Sequence, residues 1–243
     1  MCHDDDSRPP SPPVVGEVAS QGLVTLTAAD GNAFAAYQAV PAAPNGRNVV
    51  ILPDVRGLHP YYEALAVRFA EAGFHAVAFD YFGRTQGVGR RPEGFDWQSE
   101  VKQLTPEMFV HDTRAAADHV RSLNAGPTFT VGFCMGGSHS WRMSATDIDL
   151  AGCVGFYGRP PLVADVEDAM RTPLLMLVGS ADAATPLADF EALDARLTER
   201  GLDHEMYVYD GAPHSFFDRA FAEWRPACDD AWRRILAFTE RLG

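Results

Sequence analysis

The 243-residue chain carries 20 Lys and Arg against 33 Asp and Glu, a formal charge of −13, with 47% hydrophobic and 22% charged residues. That balance argues against nucleic acid as a partner, because phosphate binding draws on clustered cations. It also supports one large buried core that needs neither disulfides nor metal.

No apolar run approaches the roughly 18 residues of a transmembrane helix, and Met1–Pro13 is polar and acidic rather than signal-like. No membrane partner is expected, and the expected location is cytoplasmic. Four cysteines, Cys2, Cys134, Cys153 and Cys228, are too scattered for a disulfide framework or a CxxC zinc site. No metal and no cofactor are expected.

Residues 1–20 begin MCHDDDSRPPSPP and read as a flexible or surface-draped Pro-rich arm. Residues 21–243 read as a single domain. Gly22–Thr27 and Ala33–Val40 flank Asp30-Gly31, a hairpin-favouring dipeptide, and predict two leading antiparallel strands. Strand and helix then alternate. Asn48–Leu52 is a buried-type strand before a helix near Tyr61–Ala72, and His75–Phe79 is the next strand. Gly83–Thr105, rich in Gly, Arg and aromatics, fits neither period and predicts a loop. Pro106–Leu123 has helical spacing and Thr128–Gly132 is another buried strand. Leu150–Tyr157, Pro173–Gly179 and His204–Tyr209 complete the strands, with helices near Ala188–Glu199 and Asp229–Leu242. The alternation predicts an α/β fold: a mostly parallel, doubly wound sheet of about eight strands with helices on both faces, and chemistry at the strand carboxyl ends.

Gly132-Phe133-Cys134-Met135-Gly136-Gly137 follows the strand TFTV and precedes a predicted helix, the context of a nucleophile elbow. The flanking glycines permit a sharp turn that lifts Cys134 into a cleft, with the Met135 N–H facing a developing oxyanion. Asp182 stands just past PLLMLVG and His214 just past HEMYVY. Nucleophile, acid and histidine thus occur in α/β-hydrolase order, each at a strand end. In the triad so predicted, Cys134 attacks as thiolate, His214 transfers protons, and Asp182 fixes the imidazole tautomer. After NVVIL, Val55 can donate a second oxyanion N–H while Asp54 lies near the elbow.

These segments resemble the dienelactone hydrolase family, whose elbow reads G-x-C-x-G-G. The resemblance runs from about Thr25 to Phe238 and includes Asp80-Tyr81-Phe82-Gly83-Arg84, Gly155-Phe156-Tyr157-Gly158, Gly211-Ala212-Pro213-His214-Ser215-Phe216 and Ala231-Trp232. It implies an α/β-hydrolase fold with Cys134, Asp182 and His214 as the triad, and Met135 and Val55 as oxyanion donors. It further implies a carboxylate, here Asp54, that controls thiol ionisation, and Arg84 as a ligand for a substrate carboxylate. Two positions depart from the pattern. Asp54-Val55-Arg56 replaces Glu followed by an apolar and an aromatic residue, and Asp218 stands where a second carboxylate-binding arginine is expected, with Arg219 one place later.

Arg56 and Arg84 together suggest a basic spot for an anionic group, and Tyr81, Phe82, Trp97, Trp141 and Phe216 are candidate pocket walls. The expectation is therefore a hydrolase of a small ester or lactone, with or without a carboxylate on the substrate. The alternatives are a general carboxylesterase or thioesterase, and a non-catalytic α/β-hydrolase scaffold for binding or redox sensing. A small molecule is the expected partner, and both monomer and homodimer remain open.

Overall fold

The computed structural model describes residues 7–92, 94–218 and 221–243. Apolar runs with β-branched and aromatic side chains form the strands β1 (Val18–Thr27), β2 (Ala33–Pro41), β3 (Asn48–Leu52), β4 (His75–Phe79), β5 (Thr128–Phe133), β6 (Gly152–Phe156), β7 (Leu174–Gly179) and β8 (His204–Tyr209). They lie in one sheet in the order β1-β2-β4-β3-β5-β6-β7-β8. β1 and β2 are antiparallel to each other, β2 is antiparallel to β4, and every later pairing is parallel. This is the doubly wound α/β-hydrolase sheet that the alternation of elements predicts.

Side chains alternate across the strands, so the parallel strands feed two cores. Val49, Ile51, Ala76, Ala78, Leu175 and Leu177 face one side, where α1 (Pro60–Glu71) and α7 (Arg225–Leu242) cover them with Tyr62, Phe69, Trp232 and Phe238. Val50, Leu52, Val77, Phe79, Met176 and Val178 face the other side. There they meet α4 (Pro106–Leu123), α5 (Met135–Met143) and α6 (Leu187–Glu199) through Phe109, Val120, Trp141, Phe190 and Leu197.

Two expectations are corrected. Gly83–Thr105 is not structureless: it holds α2 (Gly83–Gln86) and α3 (Trp97–Val101), each too short to leave a helical period in the sequence. The described part of the arm fits the surface-draped reading, and the first strand, expected from Gly22, begins within it. Pro9, Pro10 and Pro12 are buried, the Trp232 indole N–H donates to the Pro10 carbonyl at 3.1 Å, the Gly16 N–H donates to Glu71 at 2.7 Å, and β1 starts at Val18. Cys2 and His3 lie outside the described residues. No described helix is long and apolar enough to cross a membrane.

Candidate active site

The turn from β5 into α5 is tight because it is built from glycines where backbones touch. A Cβ at Gly132 would collide with the Gly136 carbonyl, and one at Gly136 with the carbonyls of Leu52 and Pro53 at the end of β3. Between them Cys134 sits at φ 54° and ψ −114°, a left-handed geometry that a side-chain-bearing residue adopts at a cost on the order of 1–3 kcal/mol. Its N–H donates to Phe156 at 3.1 Å, which ties the elbow to the carboxyl end of β6. The thiol is free and partly exposed. Met135 opens α5, so its N–H belongs to the unpaired first turn of a nine-residue helix that carries no acidic residue there.

Asp182 and His214 meet directly. His214 Nδ1 lies 2.7 Å from Asp182 Oδ2, while Asp182 Oδ1 accepts the N–H groups of Ala184 at 2.7 Å and Thr185 at 3.2 Å. The Asp182 carboxylate is fully buried and the His214 side chain 20% exposed, so the acid is shielded from water and the imidazole is partly open to it. His214 also packs against Tyr157, the residue after Phe156, with ring centroids 4.9 Å apart. Cys134 and His214 are thus both tethered to the Phe156-Tyr157 segment at one edge of the sheet.

The β3 loop lies beside the elbow. Asp54 is fully buried, with its carboxylate accepting from the Arg56 N–H at 2.9 Å and from Arg56 Nη2 at 3.3 Å. Val55, between them, is half-buried. The Tyr81 hydroxyl donates to the Pro53 carbonyl at 2.7 Å, and burial holds this phenol well above its ordinary pKa, with Asp54, Asp80 and Cys134 adding to the effect. Asp80, from the same DYFGR motif, accepts from the N–H groups of Leu58 at 3.3 Å and Phe82 at 2.9 Å and from Arg91 at 3.0 Å. Burial pushes its carboxyl up despite Arg91.

The expected substrate-binding residues sit differently from the sequence expectation. Arg84 is engaged by the protein's own acids: Nη1 lies 2.5 Å from Asp30 and Nη2 2.8 Å from Asp112. Arg56 is paired with Asp54, and Tyr81 and Phe216 are 1% and 0% exposed, packed as core aromatics rather than as open walls. The reason is local charge balance: in an acidic chain each of these guanidiniums already has a carboxylate within reach. Phe216 instead fills the space between Phe156, Tyr157 and Tyr209. Asp218 is buried and accepts from the Tyr157 hydroxyl at 2.7 Å, while Arg219 lies outside the described residues. The Tyr157–Asp218 contact and the acids around Arg84 escaped sequence reading, since their only trace was the GFYG motif and the departure at Asp218.

The two acids on Arg84 titrate apart. Arg84 holds Asp30 below its ordinary range, whereas burial drives Asp112 up to about 6 against the donors Asn32 and Arg84. The folded protein thus keeps a proton on Asp112 that the unfolded chain, titrating near 3.8, has released. The contribution of this group to stability is present below that value and is lost as pH rises towards 6. Denaturation midpoints at pH 4 and pH 7 should show wild type losing roughly 1–3 kcal/mol more across the interval than Asp112→Asn. Equal losses in the two proteins would refute the assignment.

The dienelactone hydrolase family model matches residues 34–242. A Saccharolobus solfataricus protein named "Putative carboxymethylenebutenolidase" is 25% identical over 249 residues, covering 88% of this chain and 96% of that protein. Among solved structures, a "Putative Dienelactone Hydrolase" from Klebsiella pneumoniae superposes with a TM-score of 0.73 at 23% identity, over 89% of this chain and 98% of that one. The metagenomic dienelactone hydrolase-like phosphotriesterase P91 also gives 0.73, at 18% identity, over 93% and 100%. At these identities the two structures speak for the fold, and the match over most of the chain speaks for the family. The chain belongs to the dienelactone hydrolase family and is a hydrolase acting on ester bonds.

Proposed function

We propose that this protein hydrolyses a small ester or lactone through a thioester formed on Cys134. The observation that carries the reading is the 2.7 Å contact between His214 Nδ1 and a buried Asp182 at the sheet edge that also presents the strained Cys134 elbow. In the proposed cycle the Cys134 thiolate attacks the carbonyl carbon, and the N–H groups of Met135 and Val55 receive the oxyanion. Collapse breaks the C–O bond and the leaving alkoxide takes a proton from His214. Water then attacks the thioester with His214 accepting its proton, and the thiolate departs. Asp54, buried beside the elbow, governs thiol ionisation in this reading.

The pairing of Arg84 with Asp30 and Asp112, and of Arg56 with Asp54, favours a substrate that needs no carboxylate over the anionic one that the family resemblance implies. A general carboxylesterase remains the second reading, supported by the same charge balance. The experiment is a panel of matched esters and lactones with and without a terminal carboxylate, with intact-mass detection of acyl-enzyme. Acylation should map to Cys134, and the neutral member of each pair should be turned over at least as fast. Failure of every activated ester to acylate Cys134 would leave the non-catalytic scaffold as the better account. A tenfold or greater preference for the carboxylate members would return Arg84 to the substrate.

A further inference from the structure

We propose that Tyr157 and Asp218 form a positioning pair that holds the His214 imidazole in register with Asp182 and Cys134, an inference that rests on the triad reading above. Tyr157 follows β6 at φ 37°, a left-handed backbone that a tyrosine adopts only when its surroundings dictate it. Its N–H donates to Leu177 at 2.9 Å, so the turn is fixed to β7. From there the ring packs on the imidazole with centroids 4.9 Å apart and planes 58° apart. The same side chain reaches further: its hydroxyl donates to Asp218 Oδ2 at 2.7 Å, and both residues are 0% exposed.

Asp218 lies four residues beyond His214 in the same loop. Its N–H donates to Ser215 at 3.2 Å, closing a turn in which Ser215 itself takes φ 65°. The Tyr61 hydroxyl anchors the neighbouring Phe217 carbonyl at 3.2 Å. Beyond the histidine the loop is tied by these two hydroxyls and by the Cys228 thiol, which donates to the Phe216 carbonyl at 3.4 Å, and the tie at Asp218 runs through the ring that touches the imidazole. Asp182 fixes the imidazole at Nδ1 along its plane, and the Tyr157 ring restrains its tilt. With the hydroxyl bond cut, only ring packing on Phe216 and His214 holds Tyr157 to the 214–218 turn, and displacements well under 1 Å are enough to slow proton transfer.

The test uses the full chain and p-nitrophenyl butyrate. Tyr157→Phe and Asp218→Ala should each lower kcat on the order of tenfold with KM near wild type. The basic limb of their kcat/KM profile should move to lower pH, because the imidazolium that protonates the leaving group is held less well against Asp182 and is lost sooner. Asp218→Asn, which keeps an oxygen for the hydroxyl, should retain most of kcat. The double variant Tyr157→Phe/Asp218→Ala should be no slower than the singles, since one interaction is removed twice. Tyr157→Phe with wild-type kcat and pH profile would overturn the proposal, as would Asp218→Asn being as impaired as Asp218→Ala. If Asp218→Ala does not fold, Tyr157→Phe, which removes one atom, decides alone. Cys134→Ala separates the two levels: full hydrolysis by that variant overturns the triad reading and this inference together. An inactive Cys134→Ala beside a normal Tyr157→Phe overturns only the positioning pair.

Discussion

Replacing Cys134 with alanine will abolish ester and lactone hydrolysis, and replacing it with serine will keep the fold but lower kcat by at least about a hundredfold. The difference lies in the proton. A thiol is partly ionised near neutrality and is a strong nucleophile once deprotonated, whereas a hydroxyl depends entirely on a general base worth roughly 10²–10⁴ in rate. The surroundings of Cys134 place a buried Asp54 carboxylate, bound to Arg56, beside the elbow. The proposed cycle assigns that carboxylate to the thiol, and a serine hydroxyl would depend on His214 alone.

Stability should move the opposite way from activity. Cys134 holds φ 54°, so Cys134→Gly relieves backbone strain and should raise the unfolding free energy by about 1 kcal/mol while leaving no nucleophile. The checks are kcat on an activated ester and denaturation midpoints for the three variants. A serine variant as fast as wild type would remove the case for a site built around a thiolate.

The contrast between what the sequence disclosed and what it hid follows the range of the interactions. Runs such as NVVIL and LLMLVG are buried on both faces, so they announce themselves as strands without reference to partners, and the elbow is legible because Gly132 and Gly136 are required by contacts within a few residues and with one adjacent strand end. Asp182 follows the fully buried β7 by the same logic, whereas His214 follows β8, a partly exposed edge strand legible from its aromatic and β-branched residues.

Most of the misreadings involve distant partners. Nothing near Pro10 indicates that Trp232 will bond its carbonyl, and nothing in DYFGR reveals that Asp30 and Asp112 will close on Arg84. Tyr157 and Asp218 are 61 residues apart, and only the folded sheet edge brings them to the same histidine. The helices α2 and α3 were missed for another reason: at four and five residues they span about one turn, too little for a periodic signal.

Asp182→Asn is the second large effect, a loss of about 10³–10⁴ in kcat, near the scale seen when the acid of a Ser-His-Asp triad is made an amide. The geometry explains why an isosteric change should do so much. Asp182 Oδ1 is held by two backbone donors, Ala184 at 2.7 Å and Thr185 at 3.2 Å, and Oδ2 faces His214 Nδ1 at 2.7 Å. Asparagine has one oxygen to offer, and two fixed N–H groups will claim it. Its amide nitrogen then points at Nδ1 and donates, which forces the ring proton onto Nε2, the nitrogen that must be empty to accept a proton from the nucleophile or from water. The packing is preserved, so the denaturation midpoint should change little while turnover collapses. Asp182→Ala, in contrast, leaves both backbone donors without their acceptor and should lose stability as well, on the order of 1–3 kcal/mol. Should Asp182→Asn retain within tenfold of wild-type kcat, the thiolate–imidazolium pair must form without help from Asp182, and the acid of the triad would have to be sought elsewhere around His214.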